Sequence, residues 1–103
     1  MKYKIIHTEH AKQREIDRNT LFGSPPIVDI DYDINWGLER NRVNKVEGEE
    51  DLYLIRGRQY KYVLAIKNKT FTLITILYKR NLKKNEYRKY STMTKKQIKL
   101  LIN

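Results

Sequence analysis

From Lys2 to His7 the chain alternates, with Tyr3 and Ile5 on one side of an extended backbone and Lys4 and Ile6 on the other, which predicts a short first strand. Thr8 then stands as a helix N-cap whose hydroxyl can accept from first-turn amides. Glu9 follows where the helix dipole favours a negative charge, so a helix is expected over about Glu9 to Arg18. Its apolar residues are only Ala11 and Ile16, so tertiary packing rather than an amphipathic stripe has to hold it. Gly23-Ser24-Pro25-Pro26 breaks this pattern and predicts a loop, because proline lacks an amide donor and pushes its predecessor toward extended geometry. Val28, Ile30, Tyr32 and Ile34 next alternate with Asp29, Asp31 and Asp33, the period-two pattern of a strand with one buried and one acidic face. Asn35 to Asp51 is polar without clear periodicity and ends in Glu47-Gly48-Glu49-Glu50-Asp51, which reads as a loop.

The strongest β pattern begins at Leu52. Leu52 to Arg56, Tyr60 to Lys67 and Thr70 to Tyr78 are strand-forming runs separated by Gly57-Arg58-Gln59 and Asn68-Lys69, and so predict consecutive antiparallel hairpins. In that arrangement Tyr62, Leu64 and Ile66 share one face, and Phe71, Leu73, Thr75 and Leu77 share a face of the next strand. Near the C-terminus Thr94 and Gln97 have capping-box spacing and Met93 and Ile98 hydrophobic-staple spacing, opening a short helix that buries Ile98, Leu101 and Ile102. The expected architecture is one α+β domain over residues 1–103: an N-terminal helix packed on a twisted antiparallel sheet of about four strands, with a short C-terminal helix.

Charge adds direction to this picture. The net charge is +10, from 22 Lys and Arg against 12 Asp and Glu, and it favours polyanionic partners. It is also uneven: residues 26–55 carry a net −5, residues 56–78 a net +5 and residues 79–103 a net +8. Lys79 to Lys99 is therefore expected to supply most of any nucleic-acid affinity, so that neutralising Lys83, Lys84, Arg88 and Lys89 together should weaken RNA binding and flatten its salt dependence. Eleven aromatic residues, eight of them Tyr, argue against a disordered chain. The absence of cysteine excludes disulfide scaffolds, thiol nucleophiles and cysteine-based zinc sites. No apolar run approaches the roughly 18 residues of a membrane span, and the N-terminus lacks a signal-peptide core, so a cytoplasmic protein without a membrane partner is expected.

His7 and His10, the only imidazoles, lie three residues apart across the predicted strand-to-helix junction. A neutral imidazole can take a proton and an imidazolium can give one near neutral pH, the two roles needed when a ribose 2′-hydroxyl attacks the adjacent phosphate. Arg14 is one helical turn beyond His10, where a guanidinium can clamp the phosphate, and Arg18 extends the stripe by another turn. The competing reading is a solvated helix face paired with acids.

The segment Ile6-His7-Thr8-Glu9-His10-Ala11-Lys12-Gln13-Arg14, followed by Arg18, resembles the His-Thr-x-His-Ala-x-x-Arg motif of small RelE-like toxin-related domains. The resemblance implies an RNase-like α+β fold, endoribonuclease activity and, often, an antitoxin partner. A second resemblance lies in Arg80, Glu86 and Tyr90, which reproduce the Arg-x5-Glu-x3-Tyr spacing that ends BrnT-type toxins of the same superfamily. Leu82 and Asn85 depart from that segment, and the acidic stretch from Asp29 to Asp51 is longer than a minimal toxin requires.

On the sheet, Arg56 and Arg58 flank Gly57, while Tyr78-Lys79-Arg80 closes the most strongly β-forming run. These groups could contact phosphates, with Tyr78 or Tyr90 stacking on a base. Asp29-x-Asp31-x-Asp33 begins like a calcium loop, but Ile34 occupies the glycine position and Arg40 the position of the bidentate Glu, so neither a metal nor another cofactor is expected. The leading functional expectation is a metal-independent, toxin-related endoribonuclease acting on RNA, with a ribosome as one setting for that substrate. His7 and His10 would move protons, Arg14 would stabilise the phosphorane-like state, and Arg18, Arg56, Arg58, Tyr78, Lys79, Arg80, Lys83, Lys84 and Arg88 would hold RNA. The alternative is a non-catalytic phage or mobile-element protein that binds nucleic acid or an acidic host protein through its basic face.

Overall fold

The computed structural model describes residues 2–21, 29–77 and 89–103, and the side chains of all of these except 14 and 17–21. The predicted Gly23–Pro26 loop and the Tyr78, Lys79, Arg80, Lys83, Lys84 and Arg88 positions lie outside the described residues. The elements run β1 (Ile5–His7), α1 (Glu9–Leu21), α2 (Ile30–Glu39), β2 (Val43–Val46), β3 (Leu52–Arg56), β4 (Lys61–Lys67), β5 (Thr70–Leu77), β6 (Tyr90–Thr92) and α3 (Lys95–Ile102).

The fold is α+β, but its sheet has six strands in the order β1-β5-β4-β3-β2-β6 rather than about four. It is also mixed. β2 to β5 form an antiparallel meander and β6 returns antiparallel to β2, whereas β1 pairs parallel with β5 through Ile5 opposite Phe71 and His7 opposite Leu73. The β4–β5 turn is the two-residue loop Asn68-Lys69, both at positive φ (50° and 59°), the conformation whose twist matches that of the flanking strands.

The largest departure from the sequence pattern is α2, a helix where alternation predicted an acidic strand. Ile30, Ile34 and Leu38 recur every fourth residue and all three are buried in the main core, while Tyr32, the other apolar member of the alternating set in α2, stays exposed. Asp29 caps the helix, its carboxylate accepting from the Tyr32 amide at 3.1 Å, and Asp31 and Asp33 fall in the first turn, where acids complement the helix dipole. The helix ends in a Schellman motif: the Arg42 amide donates to the Gly37 carbonyl and the Asn41 amide to that of Leu38, with Asn41 left-handed at φ 56°.

The helices contribute to one core. Ala11, Ile34, Leu38, Ile98 and Ile102 pack with Ile55, Tyr62, Leu64, Phe71, Leu73 and Ile76 from the sheet. A smaller cluster of Leu54, Val63 and Leu77, with Leu52, Ile74 and Tyr90 against it, occupies the other face, because neighbouring strand residues point oppositely. The predicted common face of β5 is broken by a bulge. Val63 pairs with Thr75 and Leu64 with Leu73, which leaves Ile74 as the extra residue, so Phe71 and Leu73 share the main core with Ile76 and not with Thr75 and Leu77. Tyr90, one of the two tyrosines considered for base stacking, is partly buried and packs on the second cluster.

α3 has the expected capping box: the Thr94 hydroxyl accepts from the Gln97 amide at 3.1 Å, and the Thr94 amide donates to Gln97 Oε1 at 2.9 Å. At the β2–β3 turn the Lys45 ammonium donates to the carbonyls of Val46, Glu49 and Leu52 and lies 4.9 Å from the centre of the Tyr53 ring. Burial, and secondarily the Asp51 carboxylate, push the Tyr53 phenol above its ordinary pKa of 10.0. No helix among the described residues is long and apolar enough to cross a membrane.

Candidate nucleic-acid interface

Thr8 docks the start of α1 onto β5. Its amide and hydroxyl both donate to the Leu73 carbonyl, at 3.3 and 2.8 Å, and its hydroxyl accepts from the Ala11 amide at 3.2 Å. This docking turns the chain between the two histidines. His7 sits on the same side of β1 as Ile5, its Nε2 2.5 Å from Asp31 Oδ1 in α2 and its Nδ1 3.8 Å from Glu15 Oε1 in α1. Both ring nitrogens therefore face carboxylates, and the imidazole cross-links β1, α1 and α2. His10 is exposed, with Nε2 3.5 Å from the Thr75 hydroxyl. Thr75 pairs with Val63 and shares its face of the sheet, opposite to the helix-covered one. The imidazoles thus take partners on opposite faces and share none among the described residues. The side chains of Arg14 and Arg18 lie outside the described set.

The cations converge elsewhere. A cleft of about 370 Å³ opens at the end of the β3–β4 hairpin, lined by Arg42, Arg56, Arg58 and Lys61, with Gly57, Gln59, Tyr60 and Leu77 completing its wall. Of these, Arg56 and Arg58 were expected on the sequence; Arg42 and Lys61 were not. Each is delivered by a backbone feature. The Schellman end of α2 turns the chain at Asn41 and hands Arg42 to β3, where its amide neighbour pairing is continued by Arg56 N donating to Arg42 O at 2.9 Å and Arg42 Nε donating to Arg56 O at 2.9 Å. Arg56 and Lys61 are the last residue of β3 and the first of β4, paired across the hairpin.

Between them the turn is built around one buried carboxylate. Asp33, 3% exposed, accepts from the amides of Arg58 (2.7 Å), Gln59 (3.2 Å) and Tyr60 (3.1 Å) and from the Tyr62 hydroxyl (2.5 Å). Three consecutive amides are therefore directed inward. Gly57 belongs to the same construction, because a Cβ there would lie 2.5 Å from Asp33 Oδ2 and 2.8 Å from Tyr62 Cε2. Gly37 lets α2 approach β3 equally closely, since a Cβ there would lie 2.8 Å from the Arg56 carbonyl oxygen. Both glycines are needed for close approach rather than for an unusual φ.

Among the described residues none of the four cations forms an ion pair and none that lines the cleft is acidic. The Nε of Arg56 is buried without a hydrogen-bond acceptor among the described residues. At the Arg42 side, Trp36 extends the surface, with the guanidinium carbons of Arg40 and Arg42 at 4.4 and 5.2 Å from its ring centre. The Trp36–Arg40 spacing of four residues is the one sequence signal that would have pointed to this extension, and it is visible only once α2 is read as a helix.

The three aspartates that suggested a calcium loop serve three separate purposes: a helix cap, the His7 contact and the hairpin turn. No group of three or more potential metal ligands occurs among the described residues. Comparison of the chain with known protein families, curated proteins and solved structures finds no match.

Proposed function

We propose that the protein binds RNA, with the phosphate backbone held by Arg42, Arg56, Arg58 and Lys61 in the cleft at the β3–β4 turn. The observation that carries this reading is that four cations line one cleft at a turn held from behind by Asp33, whose buried carboxylate is taken up by the turn's own amides. A guanidinium offers a planar fork of donors that matches phosphate oxygens, and holding it in place before binding reduces the ordering cost. The net charge of +10 adds long-range attraction.

Binding is favoured here over the toxin-like cleavage implied by the RelE-like resemblance, because neither His7 nor His10 lines the cleft and each already contacts a different part of the fold. A general base must reach the proton it removes within hydrogen-bond distance of the phosphate to be cleaved. The test combines fluorescence anisotropy on a labelled single-stranded RNA with gel analysis of the same RNA in excess chelator. The expected result is salt-sensitive binding with the RNA intact, unchanged in the His10→Ala variant. Chelator-resistant cleavage that disappears in His7→Ala and His10→Ala would return the enzyme reading, and absence of RNA affinity at low salt would overturn the binding reading.

A further inference from the structure

We infer that a single strand of RNA crosses the sheet at the cleft, perpendicular to β2, β3 and β4, instead of running along them. The inference rests on the RNA-binding reading and gives its ligand a path. It starts from strand register. Arg56 and Lys61 are paired across the hairpin, the Arg56 amide donates to the Arg42 carbonyl at 2.9 Å, and Lys61 pairs in turn with Leu77 of β5. Arg42, Arg56 and Lys61 therefore stand side by side at the cleft ends of three adjacent strands, with Arg58 on the turn and apolar Leu77 closing the row. Neighbouring strands lie about 4.8 Å apart, so the row is roughly 10 Å long. That length matches about three phosphates at the ~3.4 Å spacing of a stacked strand.

The row has no continuation down the strands. Alternation puts Leu54 on the same face of β3 as Arg56, and Val63 on the same face of β4 as Lys61. Both are buried, at 5% and 0% exposure, whereas Lys61 is exposed and Arg56 half-buried. Among the described residues the cationic strip is thus three strands wide and one residue deep. At the far end of β2 and β3 the turn carries Glu47, Glu49, Glu50 and Asp51, whose charge repels a phosphate backbone. Asp33 takes up the amides of residues 58–60, so the donors left for RNA are the side chains of the row. A strand laid across the sheet meets all three cations of the row. One laid along β3 meets Arg56, then a buried leucine, then the acids.

The test measures paramagnetic broadening of the amide signals of the full chain. The probe is a six-nucleotide single-stranded RNA, long enough to overhang the row, with a nitroxide at its 5′ or its 3′ end. The strongest broadening is expected at the ends of the row, at Arg40 to Val43 on one side and at Lys61, Ile76 and Leu77 on the other, with Glu47 to Asp51 only weakly affected. A Glu49→Gln/Glu50→Gln variant gives a second readout. Both side chains are exposed, and the turn lies about five residues, roughly 17 Å, from the row, beyond the ~8 Å screening length at 0.15 M salt. Affinity of this variant for the unlabelled RNA should change by less than about twofold. A path along the strands brings RNA onto the acidic turn instead, with the strongest broadening at Glu47 to Asp51 and an affinity gain of about threefold or more in the variant. Either of these results would overturn the inference and leave RNA binding in place. RNA that binds without broadening the row, or no RNA binding at all, would overturn the cleft reading together with this one.

Discussion

Replacing Asp33 with alanine is expected to cost about 3–5 kcal/mol of folding stability, a large part of the roughly 5–15 kcal/mol available to a domain of this size. The reason is the number of donors that lose one acceptor together: the amides of Arg58, Gln59 and Tyr60 and the Tyr62 hydroxyl all converge on this carboxylate, which is 3% exposed. Each donor left buried and unpaired costs about 1–3 kcal/mol, and partial solvation of the loosened turn keeps the total below their sum. Asp33→Asn should fall between wild type and alanine, because one acceptor oxygen remains while an added NH₂ faces amides that themselves donate. Urea denaturation followed by circular dichroism measures the loss. A change under about 1 kcal/mol would mean that the turn supports itself and that the carboxylate is incidental.

The second large effect is on binding. Changing Arg56, Arg58 and Lys61 together to Gln removes three phosphate contacts. For single strands this should reduce the slope of log K against log salt by about 2 and lower affinity roughly a hundredfold near 0.1 M salt. Arg42 is left in place because its Nε also holds the Arg56 carbonyl, and its removal would mix folding with recognition. The comparison variant neutralises Lys83, Lys84, Arg88 and Lys89, where charge counting along the chain locates the affinity. If that quartet alone flattens the salt dependence, the interface lies outside the cleft.

The contrast between these two expectations follows from what linear patterning can carry. The β3–β4–β5 hairpins were legible because their alternation, turn residues and strand-forming runs all agree, and α3 was legible from Thr94 and Gln97 because a capping box is local. α2 was misread because Ile30 and Ile34 satisfy both alternation and a four-residue helical spacing. Leu38, which extends the helical series, lay beyond the window taken as a strand. The parallel pairing of β1 and the return of β6 depend on long-range contacts and leave no local mark in strands of three residues each.

The same distinction governs the candidate site. Arg56 and Arg58 stood out beside Gly57, but Arg42 reaches the cleft only through the left-handed Asn41, and Lys61 only through its pairing with Arg56. Asp33 was assigned to an exposed acidic face because no sequence feature announces that three amides some 25 residues later will close round it. His7 and His10 are close in sequence, yet the docking of Thr8 on Leu73 sends them to different partners. Spacing across a strand-to-helix junction does not fix which face a side chain takes.

The most direct test of the account is an amide-resolved NMR titration of the protein with single-stranded RNA at low salt. RNA binding through the cleft predicts that the largest shift changes fall at Arg42 and at Arg56 to Lys61, with a smaller extension to Trp36 and Arg40. His7, His10 and Thr75 should change little. Perturbations concentrated on the first turn of α1 and on Thr75, with the β3–β4 turn unmoved, would contradict the account and return the N-terminal motif to the centre of the function.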